Sequence, residues 1–166
     1  LYALTQAGVR VVYIPGNHDI WPGSYLSDEA GLEVAEGPIT VNHQGLAIKI
    51  VHGDEHRRDW RFRLSRGILR NAICIKLFRL LHPDLGTMLA RRTSRLSDYQ
   101  GRSCTQRGWE MFRDVAREAL SGDIDALVCG HYHRPLVEPM GEGSLVVLGD
   151  WITEDTFAVL EDGEIR

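Results

Sequence analysis

Three stretches of the chain set metal-binding and proton-handling side chains beside glycine or at alternating spacing: Pro15-Gly16-Asn17-His18-Asp19, His52-Gly53-Asp54 and Gly130-His131-Tyr132-His133. Each follows a run rich in valine, isoleucine or other apolar residues, where a buried strand would end and a turn begin. Open α/β folds build their sites at this carboxyl edge. Asn17 offers a neutral amide oxygen to a hard or borderline divalent ion. His18 is a candidate proton donor, with Asp19 to orient it. His52 would stand where a strand meets a tight turn, with Asp54 holding its ring or the loop. Along an extended chain, His131 and His133 would present both imidazoles on one side, and Gly130 would allow close backbone approach. Arg134-Pro135 directly after them excludes a regular helix. Each motif alone has a plainer explanation: an Asx turn for Asn17-His18-Asp19, a satisfied structural histidine for His52. His43 and His56 lack a comparable setting and are read as structural. Together the three read as most of one metal site.

The elements that must position these residues follow from periodicity. Residues 1–7 look like a helix stopped by Gly8. Residues 9–14 form a β-branched run suited to a strand covered on both faces, ended by Pro15-Gly16. A short helix is expected at 28–32. Residues 39–42 and 46–51 read as paired strands around His43-Gln44-Gly45, the second delivering His52. From about 60 to 120 the pattern is helical, with Leu64, Ile68, Ile75, Phe78 and Leu81 at helical spacing and His82-Pro83-Asp84 as an interruption. Helices are expected at 85–94 and 105–121, the latter with a face of Trp109, Phe112, Val115, Ala116 and Leu120, and with Gly122 as its stop. Residues 126–129 read as a short buried strand, and 143–148 and 156–160 as closing strands.

The 166 residues suffice for one domain with a buried core, and neither disorder nor a fibrous class fits an ordinary apolar fraction of 43%. The cysteines, Cys74, Cys104 and Cys129, form no Cys-x-x-Cys pair, which argues against a zinc or redox motif and for a reducing compartment. No apolar run approaches the roughly 20 residues of a membrane span. The net charge of −4 is uneven: residues 57–107 hold thirteen Arg or Lys against three acids, a block of +10. Such a block implies an anionic partner, namely phosphate groups, nucleic acid or an anionic lipid surface, unless it is a solvated helical face. Few aromatic residues interleave it, which makes nucleic acid the weaker choice.

The three motifs, in this order and strand context, resemble the calcineurin-like metallophosphoesterases. Within that superfamily the chain is similar to bacterial UDP-2,3-diacylglucosamine pyrophosphohydrolases. The stretches Leu80-Leu81-His82-Pro83-Asp84-Leu85-Gly86, Thr93-Ser94-Arg95, His131-Tyr132-His133-Arg134-Pro135 and Leu148-Gly149-Asp150-Trp151 add to that likeness. The resemblance covers nearly the whole chain and implies one α/β domain over 1–166, a two-sheet sandwich flanked by helices, with a helical cap inserted at about 60–121. It implies two divalent metal ions, manganese foremost, with Asn17, His52 and His131 as ligands of one and His133 of the other. His18, assisted by Asp19, would be catalytic. Asn17, His18, Asp59, Ser94, Asp98 and His131 would contact substrate. The implied reaction is hydrolysis of UDP-2,3-diacylglucosamine to UMP and 2,3-diacylglucosamine 1-phosphate in lipid A synthesis, by an enzyme of the cytoplasm or the cytoplasmic face of the inner membrane. The family's upstream Asp-x-His and metal-bridging Gly-Asp do not occur here, so the chain reads as truncated at its N-terminus and, by itself, inactive. The hydrolases of this pathway carry Gly-Asn-Arg-Asp where this chain has Gly16-Asn17-His18-Asp19. Another phosphoester or nucleotide substrate, and a catalytically silent binding scaffold, are the alternative readings.

The apolar Leu64, Ile68, Leu69, Ile73, Leu77, Phe78 and Leu81, beside Arg63, Arg66, Arg70, Lys76 and Arg79, would suit a lipid-linked phosphate substrate. The same stripe would equally serve to dock these helices on the domain.

Overall fold

The computed structural model describes residues 1–19, 21–54, 64, 67–69, 71–99, 106–151 and 154–166, with 93–99 described by backbone alone. Five strands form the central sheet: β3 (Ile39–His43), β4 (Leu46–Val51), β5 (Ala126–Cys129), β6 (Leu136–Met140) and β7 (Gly143–Val147). Their order is β3-β4-β5-β7-β6. The inner three are mutually parallel, and β3 and β6 close the two edges antiparallel. A second, two-stranded parallel pair joins β1 (Val12–Tyr13) to β2 (Glu33–Val34), and a C-terminal hairpin joins β8 (Leu160–Glu161) to β9 (Glu164–Ile165). Helices with both ends among the described residues are α1 (Tyr2–Gln6), α2 (Tyr25–Asp28), α3 (Ala72–Arg79), α4 (Pro83–Tyr99) and α5 (Gln106–Leu120), and residues 67–69 are helical as well. The fold is therefore mixed α/β, a five-stranded mixed sheet flanked by helices.

The core lies between the central strands and α5. Trp109, Phe112, Ala116 and Leu120 recur at helical spacing and are buried against Leu127, Cys129, Leu145 and Val147. Val115, expected on that face, is 43% exposed, because it falls outside the stripe that touches β5 and β7. Phe112 is only 2% exposed. Its replacement by alanine is expected to cost about 3–5 kcal/mol of stability, readable as a lower denaturant midpoint with an unchanged slope.

Several boundaries differ from expectation. The first strand is short, and Val9 is 48% exposed while Arg10 turns outward to pair with Glu33 at 2.7 Å, so this run is not covered on both faces. The short helix lies at Tyr25–Asp28 instead of 28–32, since the chain must turn through Gly31 at φ +70° to enter β2. Strand β6 was not expected: Pro139 argues against a central strand, but among the described strands β6 is an edge bonded only to β7, where a proline is tolerated. The closing strand expected at 156–160 begins only at Leu160. The β3–β4 hairpin forms as expected, its turn made by Gln44 and Gly45, both with positive φ.

The helical stretch divides by burial. Asn71 caps α3, its Oδ1 accepting from the Ile73 N–H at 2.9 Å. Pro83 opens α4, so the interruption at His82-Pro83-Asp84 is a helix start as well as a stop, and α4 runs beyond the expected 85–94. Gly86 seats α4 on the Phe78 ring, while Phe78 meets Trp21 with ring centroids 4.8 Å apart. The loop after Asn17-His18-Asp19 is thus the footing of α3. Ile73, Leu77, Leu80, Leu85 and Met88 remain largely exposed.

Candidate metal and phosphate site

Strands β4 and β5 are parallel neighbours with Val51 beside Cys129, so the residues that follow them emerge together at the carboxyl edge. The His52 carbonyl accepts from the N–H groups of both Gly130 (3.1 Å) and His131 (2.9 Å), which locks the two loops together. His52 and His131 then meet ring to ring, centroids 4.9 Å apart in an edge arrangement. His52 Nε2 lies 3.1 Å from His131 Nδ1 and 2.9 Å from Asn17 Oδ1. The structure therefore gathers Asn17, His52 and His131 at one point, from three separate stretches of sequence.

Asn17 and His18 occupy the centre of a turn closed from both ends. The Asp19 N–H donates to the Gly16 carbonyl at 3.1 Å, and Asp19 Oδ2 accepts from the Gly16 N–H at 3.0 Å. The turn and the candidate ligand are the same feature, since Asp19 closes the turn while the Asn17 side chain faces His52. The carboxylate of Asp19 also takes the Tyr13 hydroxyl. Burial first, then this hydrogen bond and the negative charge, push the Tyr13 phenol up to about 12. Because the folded value lies above the ordinary tyrosine value of about 10, the contact contributes stability below pH 10 that is lost as the pH rises through 12. A spectrophotometric tyrosine titration is expected to show one phenol ionising near pH 12, and Asp19→Asn should move it downward.

Two glycines make the crowding possible. A Cβ on Gly16 would lie 2.8 Å from the His52 ring. Gly53 has φ +114°, and a Cβ there would lie 3.0 Å from the Cβ of His131. Gly130, which the sequence suggests as the close-approach glycine, has no atom of the described residues within 4 Å of such a Cβ. The close approach belongs to Gly53.

The alternation expected of His131 and His133 does not form. The chain turns at His131-Tyr132, and His133 has a left-handed φ of 49°. His131 is buried at 6% exposure, whereas the His133 side chain is 61% exposed and has Nδ1 3.7 Å from Asp150 Oδ2. Asp150 thus faces a candidate ligand without having been singled out for it, although it belongs to the Leu148-Gly149-Asp150-Trp151 stretch. Asp54 is buried at 2% exposure beside the loop, and His18 is exposed at the mouth. Ser94 and Asp98 lie on α4, and His43 is exposed at the end of β3. Asp59, His56 and Cys104 lie outside the described residues.

The donor set fits a divalent cation. His52 Nε2 carries either one proton or one lone pair, yet it faces an amide oxygen and a second imidazole nitrogen at once. At most one proton can be shared among the three atoms. A cation would accept a lone pair from each, and spacings of 2.9–3.1 Å match neighbouring ligands on an ion with bonds of about 2.1 Å. Among the described residues no group of three or more His, Cys, Asp or Glu side chains gathers as a cation site by itself, so a cation at this point would need the amide of Asn17.

The arrangement defines an α/β protein with a nitrogen and oxygen donor cluster at the carboxyl edge of its sheet. No protein-family model matches the chain. Among curated proteins, it is 29% identical over 177 aligned positions to UDP-2,3-diacylglucosamine hydrolase of Porphyromonas gingivalis, covering 94% of this chain and 67% of that protein. The proteins of the same name from Stutzerimonas stutzeri and Pseudomonas savastanoi pv. phaseolicola are 30% and 32% identical, each over 91% of this chain and 65% and 63% of their own lengths. The chain is thus similar in sequence to UDP-2,3-diacylglucosamine hydrolases and spans 63–67% of the length of these relatives.

Proposed function

We propose that the chain carries part of the active site of a metal-dependent phosphohydrolase that cleaves the pyrophosphate of UDP-2,3-diacylglucosamine, releasing UMP and 2,3-diacylglucosamine 1-phosphate for lipid A synthesis. The observation that carries this reading is the convergence of Asn17 Oδ1, His52 Nε2 and His131 Nδ1 within 3.1 Å steps at the sheet edge. The names of the relatives supply the substrate. Asn17, His52 and His131 would hold one ion and His133 a second, with manganese the favoured metal. Bound divalent ions supply Lewis-acid neutralisation of phosphate oxygens and a hydroxide nucleophile at neutral pH.

The chain's own residues orient and protonate. Asp19 fixes the turn that presents Asn17 and His18. From its exposed place beside Asn17, His18 stabilises the phosphoryl oxygens and gives a proton to the leaving group. Asp54, buried two residues after His52, holds the loop. Asp59, Ser94 and Asp98 are proposed substrate contacts.

In architecture, the β1–β2 pair would belong to the second sheet of a two-sheet sandwich, with α3 and α4 as a helical cap. The exposed Ile73, Leu77, Leu80 and Met88, beside exposed Lys76, Arg79, Arg91 and Arg92, suit a substrate with acyl chains and phosphate. They equally suit contact with the cytoplasmic face of the inner membrane. No helix among the described residues is long and apolar enough to cross a membrane. The test is hydrolysis by the gene's full-length product with added Mn2+, offered UDP-2,3-diacylglucosamine and a generic aryl phosphodiester in parallel. UMP release supports the reading. Turnover of the aryl ester alone would mean another substrate, and turnover of neither would favour a silent scaffold.

A further inference from the structure

Tyr132, between the two histidines, is absorbed by no step above, yet it is buried at 9% exposure. Its ring meets that of His131 edge-on, centroids 5.3 Å apart at 79°. On its other side Tyr132 is gripped by the first turns of α5. Trp109 stands edge-on at 5.1 Å, Phe112 lies tilted at 4.9 Å, and the Tyr132 hydroxyl donates to the Gly108 carbonyl at 3.3 Å. The Trp109 ring is itself flanked by the Arg113 guanidinium, 5.9 Å from its centroid, and Arg113 is paired with Glu138 of β6. An unbroken row of rings therefore runs from the helix to the site: Trp109, Tyr132, His131, His52. Edge-to-face contacts between rings are directional, so each ring restricts the tilt of the next.

We propose that Tyr132, seated on Trp109, is a positioning residue that sets the orientation of the His131 imidazole for metal binding. The usual device for a metal-binding histidine is a hydrogen bond to its second nitrogen. Here an aromatic contact, braced by α5, acts on the same ring. This inference rests on His131 being a ligand, so its test carries one readout that needs no metal.

The variant is Tyr132→Leu, which keeps apolar volume and removes the ring; Tyr132→Phe is the conservative rescue, and Leu145→Ala is a control in the same core that leaves the row of rings intact. On the gene's full-length product, Mn2+ affinity is read from the free-ion paramagnetic resonance signal. The 15N shifts of the His131 ring, in metal-free protein, report its tautomer. Tyr132→Leu is expected to weaken Mn2+ binding by about tenfold or more, the range seen when support behind a ligand is lost, and to change one defined His131 tautomer into a mixture. Tyr132→Phe should restore both, while Leu145→Ala lowers the melting temperature and changes neither. Wild-type affinity and an unmixed tautomer in Tyr132→Leu would overturn the proposal, as would an equal loss in Leu145→Ala. If the wild-type protein binds no Mn2+ while Tyr132→Leu still mixes the tautomers, the metal reading fails and the positioning role stands.

Discussion

On the proposed function, His131→Ala in the gene's full-length product is expected to lower Mn2+-dependent release of UMP by about a hundredfold or more. Loss of a residue that only supports a ligand already costs up to about that factor, and on the proposed function His131 would contribute the donor atom itself. Its Nδ1 is one of three atoms drawn to a single point, and the ring is buried at 6% exposure, so neither water nor a neighbouring side chain can easily take its place. The substitution should not unfold the protein, because the His131 N–H bond to the His52 carbonyl is made by the backbone and survives. Separating UMP from substrate by chromatography gives the rate, and circular dichroism checks the fold. Residual turnover within threefold of wild type would remove His131 from the mechanism.

Gly53→Ala should damage the protein twice over. At φ +114° an alanine is strained by about 1–3 kcal/mol, and its Cβ would lie 3.0 Å from the Cβ of His131, two atoms that can separate only if the backbone moves. A melting temperature lower by roughly 2–12 °C is expected from the conformational cost, at about 2–4 °C per kcal/mol for a protein of this size. Weakened Mn2+ binding should accompany it, since the displaced loop carries His131. Gly130→Ala is the control. It has room for a Cβ and no left-handed φ, and is expected to change stability by less than about 0.5 kcal/mol. Equal effects at the two glycines, read by calorimetry, would show that the crowding at Gly53 is not what fixes the loop.

The site was legible because its chemistry sits next to its punctuation. Glycine or proline after a β-branched run marks a strand end, and although one histidine placed there is commonly structural, three such strand ends carrying Asn17, His52 and His131 in one chain are not. The hairpin carrying His52 and the strand before His131 followed from the same rule. Side-chain direction was less legible. The His-x-His spacing implies alternation only if the chain stays extended, and His133 at φ 49° shows that it turns. Which glycine makes room depended on tertiary neighbours: Gly130 precedes His131 in sequence, but Gly53 touches it in space. Strand β6 was hidden by Pro139, whose penalty applies to a central strand and vanishes at an edge. Tyr132 and Trp109 did leave a signal, an aromatic between two histidines and another on a strongly amphipathic helix. Nothing in one dimension brings them together.

Electron spin-echo spectroscopy of the Mn2+-loaded full-length product tests most directly whether Asn17, His52 and His131 hold a divalent ion. Modulation from imidazole 14N should be present in the wild-type protein and diminished in His52→Ala and in His131→Ala. A Mn2+ signal without nitrogen modulation, or one that neither substitution alters, would contradict a metal centre built on these histidines.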